Sequence, residues 1–367
     1  MVIGVTGYGA TGASACMDLL KEFQDVQYYD PHMEFQLLQW PDGITDLRYN
    51  LVESRRRISI NSSIIRFIKR FEYQRSQAMI QRTHGQYIPL SWKYVDSLVQ
   101  VKWLGKSAFD PQDLLSKYED YKYRHLRSLL MRIAIFFKPD STWPPYRTRY
   151  YTSLSERDFV DKTKDYLNQI FTASGFDLNK PIILEQLFCL ERPTEGGEYF
   201  DDFRTIIVDR DPRDVYAMTN GYLSGQLTSF MPWRRDVDGY ITYFRGLHRT
   251  VSKDSRVFYL QYEDLIYRYE STVKKLEEFL GIKHVSPKSI FRPEWSINNT
   301  QTYKQYPQLA DEIKVIEDKL KDYLYPFEEL DSCLPFEPEK TGVFVDRPGD
   351  RMRLRKQSER VLKKSIK

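Results

Sequence analysis

The chain has 367 residues, 41% hydrophobic, 29% charged and 15% aromatic, with 27 Tyr, 21 Phe and 6 Trp. That aromatic load can offset the entropy of ordering a backbone, which excludes a disordered chain and a fibrous repeat. The formal charge of +4 is unevenly spread. From Arg347 to Lys367 nine Lys or Arg oppose two acids, a net +7, which leaves −3 on everything before them.

Met1 to Thr6 is an apolar, β-rich run, and the glycine cluster Gly7 to Ser14 follows it. Ala13 to Phe23 has helical spacing, and Val26 to Tyr29 reads as a second strand ending at Asp30. From Asn50 to Ser174 the chain becomes rich in Arg, Lys, Tyr and Gln at three- and four-residue apolar spacing. Helices are predicted there over Ser63 to Gln81, Pro111 to Phe137 and Ser155 to Ser174. Alternation resumes with strands at Pro181 to Phe188, Arg204 to Arg210 and Arg256 to Tyr262. Helices are expected from Pro212, over Val237 to Val251, over Thr272 to Gly281 and over Gln308 to Tyr323. Short apolar strands alternating with helices predict an α/β fold: a mostly parallel sheet with helices on both faces and a large helical insertion. The expected domain is 1–330, with the insertion at about 50–175, and 331–367 is an extension with a basic tail. That tail reads as a solvated terminus able to touch an anionic surface.

The most apolar stretch, Ser128 to Phe137, contains Arg132 and falls short of the roughly 20 apolar residues of a membrane span. The first residues lack the basic segment and cleavage site of a signal peptide. Three scattered cysteines (Cys16, Cys189, Cys333) form no disulfide framework. The expectation is a cytoplasmic protein. No C-x-x-C pair or H-E-x-x-H appears, so no metal is expected.

Three segments carry chemistry. Gly7, Gly9 and Gly12 form G-x-G-x-x-G between a strand and a helix, where backbone amides bind an anion and missing Cβ atoms let it approach. A dinucleotide-binding fold shares this geometry, with Asp30 as the ribose-binding acid. So does a phosphate-cradling loop, with Ala13 standing where its lysine would be. The second segment is Ile206 to Met218, IIVDRDPRDVYAM. Capping accounts for Asp211, Pro212 and Asp214. It leaves Arg210, a planar fork suited to phosphate at the carboxyl end of a buried strand. The third is Phe258 to Ile282, where Glu263 and Asp264 join a strand to a helix.

Together these segments resemble the sulfotransferase family that uses 3′-phosphoadenosine 5′-phosphosulfate (PAPS). Val5 to Ser14 resembles its 5′-phosphosulfate loop, Val208 to Met218 its 3′-phosphate motif, and Tyr262 to Ile282 its strand-to-helix signature. Ser296 to Tyr306 is similar to its late cofactor-side segment. The resemblance implies a P-loop NTPase-like α/β fold and PAPS as co-substrate, held by Gly7, Gly9, Ala10, Thr11, Gly12, Ala13 and Ser14, by Arg210, and by Tyr262 near the adenine. Where the family has a serine after the arginine this chain has Met218, with Thr219 adjacent as the substitute. Where its loop carries Lys or Arg, this chain has Ala10. The base that takes the acceptor proton falls by position on Glu185, with His84 and His125 of the insertion as further candidates. The partners implied are this nucleotide and an acceptor hydroxyl. A glycan is suggested by the Tyr, Trp, Arg and Lys of Tyr118 to Tyr151. The alternatives are an NAD(P)-dependent oxidoreductase with a Rossmann domain, supported by Asp30, and a catalytically decayed binding module, supported by Ala10 and Met218.

Overall fold

The apolar opening forms strand β1 (Val2–Thr6), all five residues buried. In the computed structural model the glycine loop turns it into helix α1 (Ala13–Leu20). The structure describes residues 1–30, 32–72, 77–105, 147–222, 232, 235–330 and 336–338, with 129, 133 and 136. The described elements continue with α2 (Ile44–Arg48), α3 (Arg57–Glu72), α4 (Gln77–Arg82) and α5 (Tyr87–Leu98). After them come β2 (Val101–Gly105), β3 (Arg147–Tyr151) and α6 (Glu156–Ala173). The remainder is β4 (Ile182–Glu185), β5 (Phe203–Asp209), α7 (Pro212–Ala217), α8 (Val237–Leu247), β6 (Val257–Gln261), α9 (Asp264–Tyr267), α10 (Tyr269–Leu280), α11 (Pro293–Ser296) and α12 (Ala310–Lys319).

The chain divides into two units. One joins Met1–Gln36 to Asn179–Lys367, and the other is Leu37–Leu178. The first holds a parallel sheet of order β4-β1-β5-β6, with Gly4 opposite Leu184 on one side and Thr205 on the other. Strands β4, β1 and β5 are buried nearly throughout, as a parallel sheet covered by helices requires. Cys16, Leu19 and Leu20 of α1 pack with Ile3, Ile183 and Ile206 of the sheet and with Leu276 of α10. A second cluster joins Tyr216 of α7, Ile241 and Phe244 of α8, and Ile313 and Ile316 of α12.

The predicted strand Val26–Tyr29 does not form. Instead Gln27 and Glu34 make single parallel bridges to Ile182 and Glu185 of β4. This overturns the Rossmann alternative. In that fold the strand after the first helix lies beside the first strand. Here the corresponding segment runs on the far side of β4, which separates it from β1. The strand predicted to Phe188 stops at Glu185 because Gln186 takes φ 58°, outside the strand region. The last helix is shorter than predicted. It starts at Ala310, with 3₁₀ turns at Pro307–Leu309 and Lys321–Tyr323.

In the second unit, α5 and α6 pack with their tyrosines face to face, the Tyr94 and Tyr166 rings 4.4 Å apart. The buried hydroxyls are answered across the same interface: Tyr166 meets Ser91 at 2.6 Å and Tyr94 meets Thr163 at 2.7 Å. Ser155 opens α6 with a reciprocal capping box to Asp158, one residue from the predicted start. The helix predicted over Pro111 to Phe137 lies, apart from 129, 133 and 136, outside the described residues, as does the basic tail. Among the described residues no helix is long and apolar enough to cross a membrane.

Candidate active site

The loop after β1 is shaped by backbone conformations that side chains resist. Gly9 and Gly12 have φ 95° and 93°, and Ala10 sits at φ 57°. A Cβ on Gly12 would lie 2.3 Å from the Tyr262 ring, and one on Gly7 would lie 2.1 Å from the Thr11 hydroxyl. Among the described residues no side chain caps α1. The amides of its first turn therefore face the loop, where the helix dipole favours an anion.

Arg210 follows β5 and reaches this loop. It is buried, its Nη1 donates to the Ala10 carbonyl at 2.8 Å, and its Nη2 donates to the Asn299 carbonyl. Its Nε is buried with no hydrogen-bond partner among the described residues. The guanidinium lies 5.0 Å from the centre of the Tyr262 ring and 3.9 Å from the Asp214 carboxylate. Asp214 is in turn held by Gln301 N–H at 2.8 Å and the Thr302 hydroxyl at 2.9 Å. Sequence alone leaves the loop without a cation at Ala10; in space Arg210 stands beside that residue. Burial raises the Tyr262 phenol to about 12, although Arg210 pulls the other way.

Glu185, the last residue of β4, is buried on the other flank of the loop. Its Oε1 accepts from the Ser14 hydroxyl at 3.1 Å, and its Oε2 pairs with Nε2 of His32. The hydrogen bond to Glu185 holds the His32 pKa above its ordinary value, against burial. His32 is 39% exposed at its side chain, so an acceptor can reach the ring. Gln186, in its left-handed conformation, accepts from the Thr6 hydroxyl at 2.9 Å and donates to the Gly7 carbonyl at 3.3 Å. It ties the end of β4 to the loop.

The structure thus gathers Gly7 to Ser14, Arg210, Tyr262 and Glu185 in one place. Thr219 lies in a π-helical turn (Met218–Tyr222), and its hydroxyl bonds the Val215 and Tyr216 carbonyls. Met218 beside it is fully buried. His84 belongs to the second unit and sits exposed in a left-handed turn between α4 and α5. The histidine that meets Glu185 is instead His32. His125 and most of Tyr118 to Tyr151 lie outside the described residues. Among the described residues no cluster of His, Cys, Asp or Glu could hold a metal.

Sequence reading passed over His32 because it took Val26 to Tyr29 as a strand ending at Asp30 and gave the residues just after it no place. The bridges of Gln27 and Glu34 to β4 are what carry His32 to Glu185. It also passed over Glu263. This carboxyl is fully buried, accepts the Asp211 N–H at 3.0 Å, and is pushed up to about 8 by burial, with Arg210 opposing.

Residues 198–311 match the family described as the sulfotransferase domain. The matched segment takes in Arg210, the Met218–Tyr222 turn, Tyr262 and the Asn299 carbonyl, while the glycine loop and Glu185 precede it. Two solved structures also match: the sulfotransferase domain from the Synechococcus PCC 7002 olefin synthase and that from the curacin biosynthetic pathway. The first is 13% identical with a TM-score of 0.34, covering 97% of this chain and 93% of its own. The second is 11% identical with a TM-score of 0.34, covering 97% of this chain and 96% of its own. No curated protein matches the chain.

Proposed function

We propose that the chain transfers a sulfuryl group from PAPS to an acceptor hydroxyl, using residues of the first unit. One observation carries this reading. The glycine loop meets a buried arginine on one flank, at Ala10, and a carboxylate–histidine pair on the other, at Ser14.

PAPS as co-substrate supplies a sulfuryl group already bonded to a phosphate leaving group. The loop amides would hold that end of it, and Gly7 and Gly12 keep the cradle clear of Cβ atoms. Arg210 would hold the 3′-phosphate. It offers a buried Nε without a hydrogen-bond partner among the described residues, and its hydrogen bonds go to neutral carbonyls, weaker acceptors than an anion, with the Asp214 carboxylate 3.9 Å away. Tyr262, stacked beneath the guanidinium, would line the adenine side. Thr219 would join only by turning its hydroxyl from the helix carbonyls.

His32 would take the acceptor proton on Nδ1, while Glu185 holds the Nε2 edge and stabilises the imidazolium that forms. As the acceptor oxygen bonds sulfur, the bond from sulfur to the phosphate oxygen breaks. The protein's contribution is alignment and charge neutralisation, as in phosphoryl transfer. The scattered cysteines support a reducing, cytoplasmic setting. The aromatic and basic insertion supports a carbohydrate as the first acceptor class to try.

The test is calorimetric titration with adenosine 3′,5′-bisphosphate, NAD and NADP, followed by sulfate transfer from radiolabelled PAPS to a panel of hydroxyl acceptors that includes carbohydrates. Binding of the bisphosphate alone, weakened at least about tenfold by Arg210→Ala, is the expected result. Binding of a nicotinamide nucleotide instead would overturn the reading. Bisphosphate binding with no transfer to any acceptor would favour the binding-only alternative.

A further inference from the structure

A second histidine–carboxylate pair stands beside the loop and takes no part in the chemistry above. Tyr8, between Gly7 and Gly9, donates its hydroxyl to Asp209 Oδ1 at 2.6 Å. Asp209 ends β5, and the same oxygen accepts the Arg210 N–H at 2.8 Å. Its other oxygen, Oδ2, lies 2.7 Å from His248 Nε2. His248 closes α8, with Nδ1 2.8 Å from the Phe244 carbonyl. Its ring stacks on Phe244 at 4.1 Å and meets the Tyr8 ring edge-on at 5.7 Å.

Both nitrogens of His248 therefore face acceptors. A carbonyl has no proton to give, and Asp209 already receives two donors on its other oxygen. A doubly protonated ring satisfies both acceptors at once. The helix C-terminus, with its partial negative charge, also favours a cation there. Among the described residues the titratable groups facing His248 are Asp209 from β5, Tyr8 from the loop and Tyr323 from the turn after α12.

We propose that His248 is a positioning residue for the glycine loop: as an imidazolium it fixes Asp209, and through Asp209 the Tyr8 hydroxyl, so that the loop keeps its anion-binding shape only while His248 holds both protons. This rests on the loop binding a nucleotide anion. Burial disfavours the charged ring, yet the hydrogen bond and charge of Asp209 with the Phe244 carbonyl raise its pKa above the ordinary histidine value. The charge is thus kept to a higher pH than on an ordinary histidine and is lost as pH rises further.

The experiment pairs two readouts on the full chain. Nitrogen-15 NMR follows the His248 ring through pH 5.5 to 9.5. Calorimetry follows adenosine 3′,5′-bisphosphate affinity over the same range for wild type, His248→Gln and Tyr8→Phe. The expected result is a His248 titration midpoint above about 6.5. Wild-type affinity should then fall by about tenfold or more through that midpoint. Both variants should bind about tenfold more weakly at pH 6.5, and the step at the His248 midpoint should vanish in His248→Gln. Glu263 titrates in the neighbouring region, so a step common to wild type and His248→Gln belongs to it. A His248 ring with one proton at pH 6.5, or identical pH profiles for wild type and His248→Gln, would overturn the proposal. Should His248→Gln fail to fold, the coincidence of the wild-type NMR and affinity midpoints decides. Should wild type bind no bisphosphate, the proposed function fails. Hydrogen exchange of the Tyr8 to Gly12 amides then judges the tether, which requires faster exchange above the His248 midpoint.

Discussion

His32 and Glu185 divide one task by their exposure. Glu185 is buried, with its two oxygens assigned to Ser14 and His32. A carboxylate so placed orients a ring better than it reaches a substrate. Removing the ring should therefore abolish chemistry without abolishing binding. His32→Gln is expected to lower kcat for sulfate transfer by about 10²- to 10⁴-fold, with bisphosphate affinity within about twofold of wild type. Glu185→Gln should lower kcat too, and should also shift the acidic limb of the pH–rate profile. Glu185 raises the His32 pKa, and a base works only once deprotonated. Wild-type activity must therefore rise as pH passes a value above the ordinary histidine range, about 6.5. In Glu185→Gln that limb should move to lower pH. An unmoved limb would exclude Glu185 as the partner of the base.

At the scale of elements the loop, β4 and β5 form one device, and Gly12 is its tightest point. Alanine there meets the Tyr262 ring at 2.3 Å and must adopt φ 93°. Gly12→Ala is expected to cost on the order of 1–3 kcal/mol in denaturant unfolding and to lower bisphosphate affinity with it. An unchanged unfolding midpoint would mean that the loop has another accessible conformation. Glycine spacing made this turn legible in the sequence, as strand-end position did for the place of Arg210, while Glu185 was reached through the family resemblance. The inner strands were legible too, because burial on both faces leaves an unbroken apolar run. What stayed hidden depends on pairing between distant segments. Single bridges from Gln27 and Glu34 leave no periodic signature, so nothing local directs His32 to β4 rather than to β1. Tyr8, Asp209 and His248 are far apart along the chain, and each has an ordinary local explanation. Gln186 is likewise unmarked: a non-glycine residue at φ 58° cannot be told by type from one in a strand.

Over the whole molecule these buried groups set how stability varies with pH. Burial lifts Glu263 from 4.5 to about 8, so the folded state holds a proton that the unfolded chain releases above 4.5. The stability this confers is complete below 4.5 and is lost as pH rises toward 8. His248 and His32, both raised above the ordinary histidine value, act in the same sense from about 6.5 upward. Stability should therefore peak on the acidic side of neutrality and decline toward pH 9. Glu263→Gln separates the contributions. The amide keeps an oxygen for the Asp211 N–H and carries no titrating proton. Relative to wild type it should gain stability as pH rises, on the order of 1 kcal/mol per pH unit between 4.5 and 8, before flattening. In thermal melts the difference between variant and wild type should widen by about 2 °C or more from pH 5 to pH 8.5. A constant difference would mean that Glu263 is already ionised at neutral pH. Arg210, the larger of the two influences that oppose burial there, would then be paired with a charge in the free protein and less available to a phosphate. The same melts would thus bear on nucleotide binding as well as on folding.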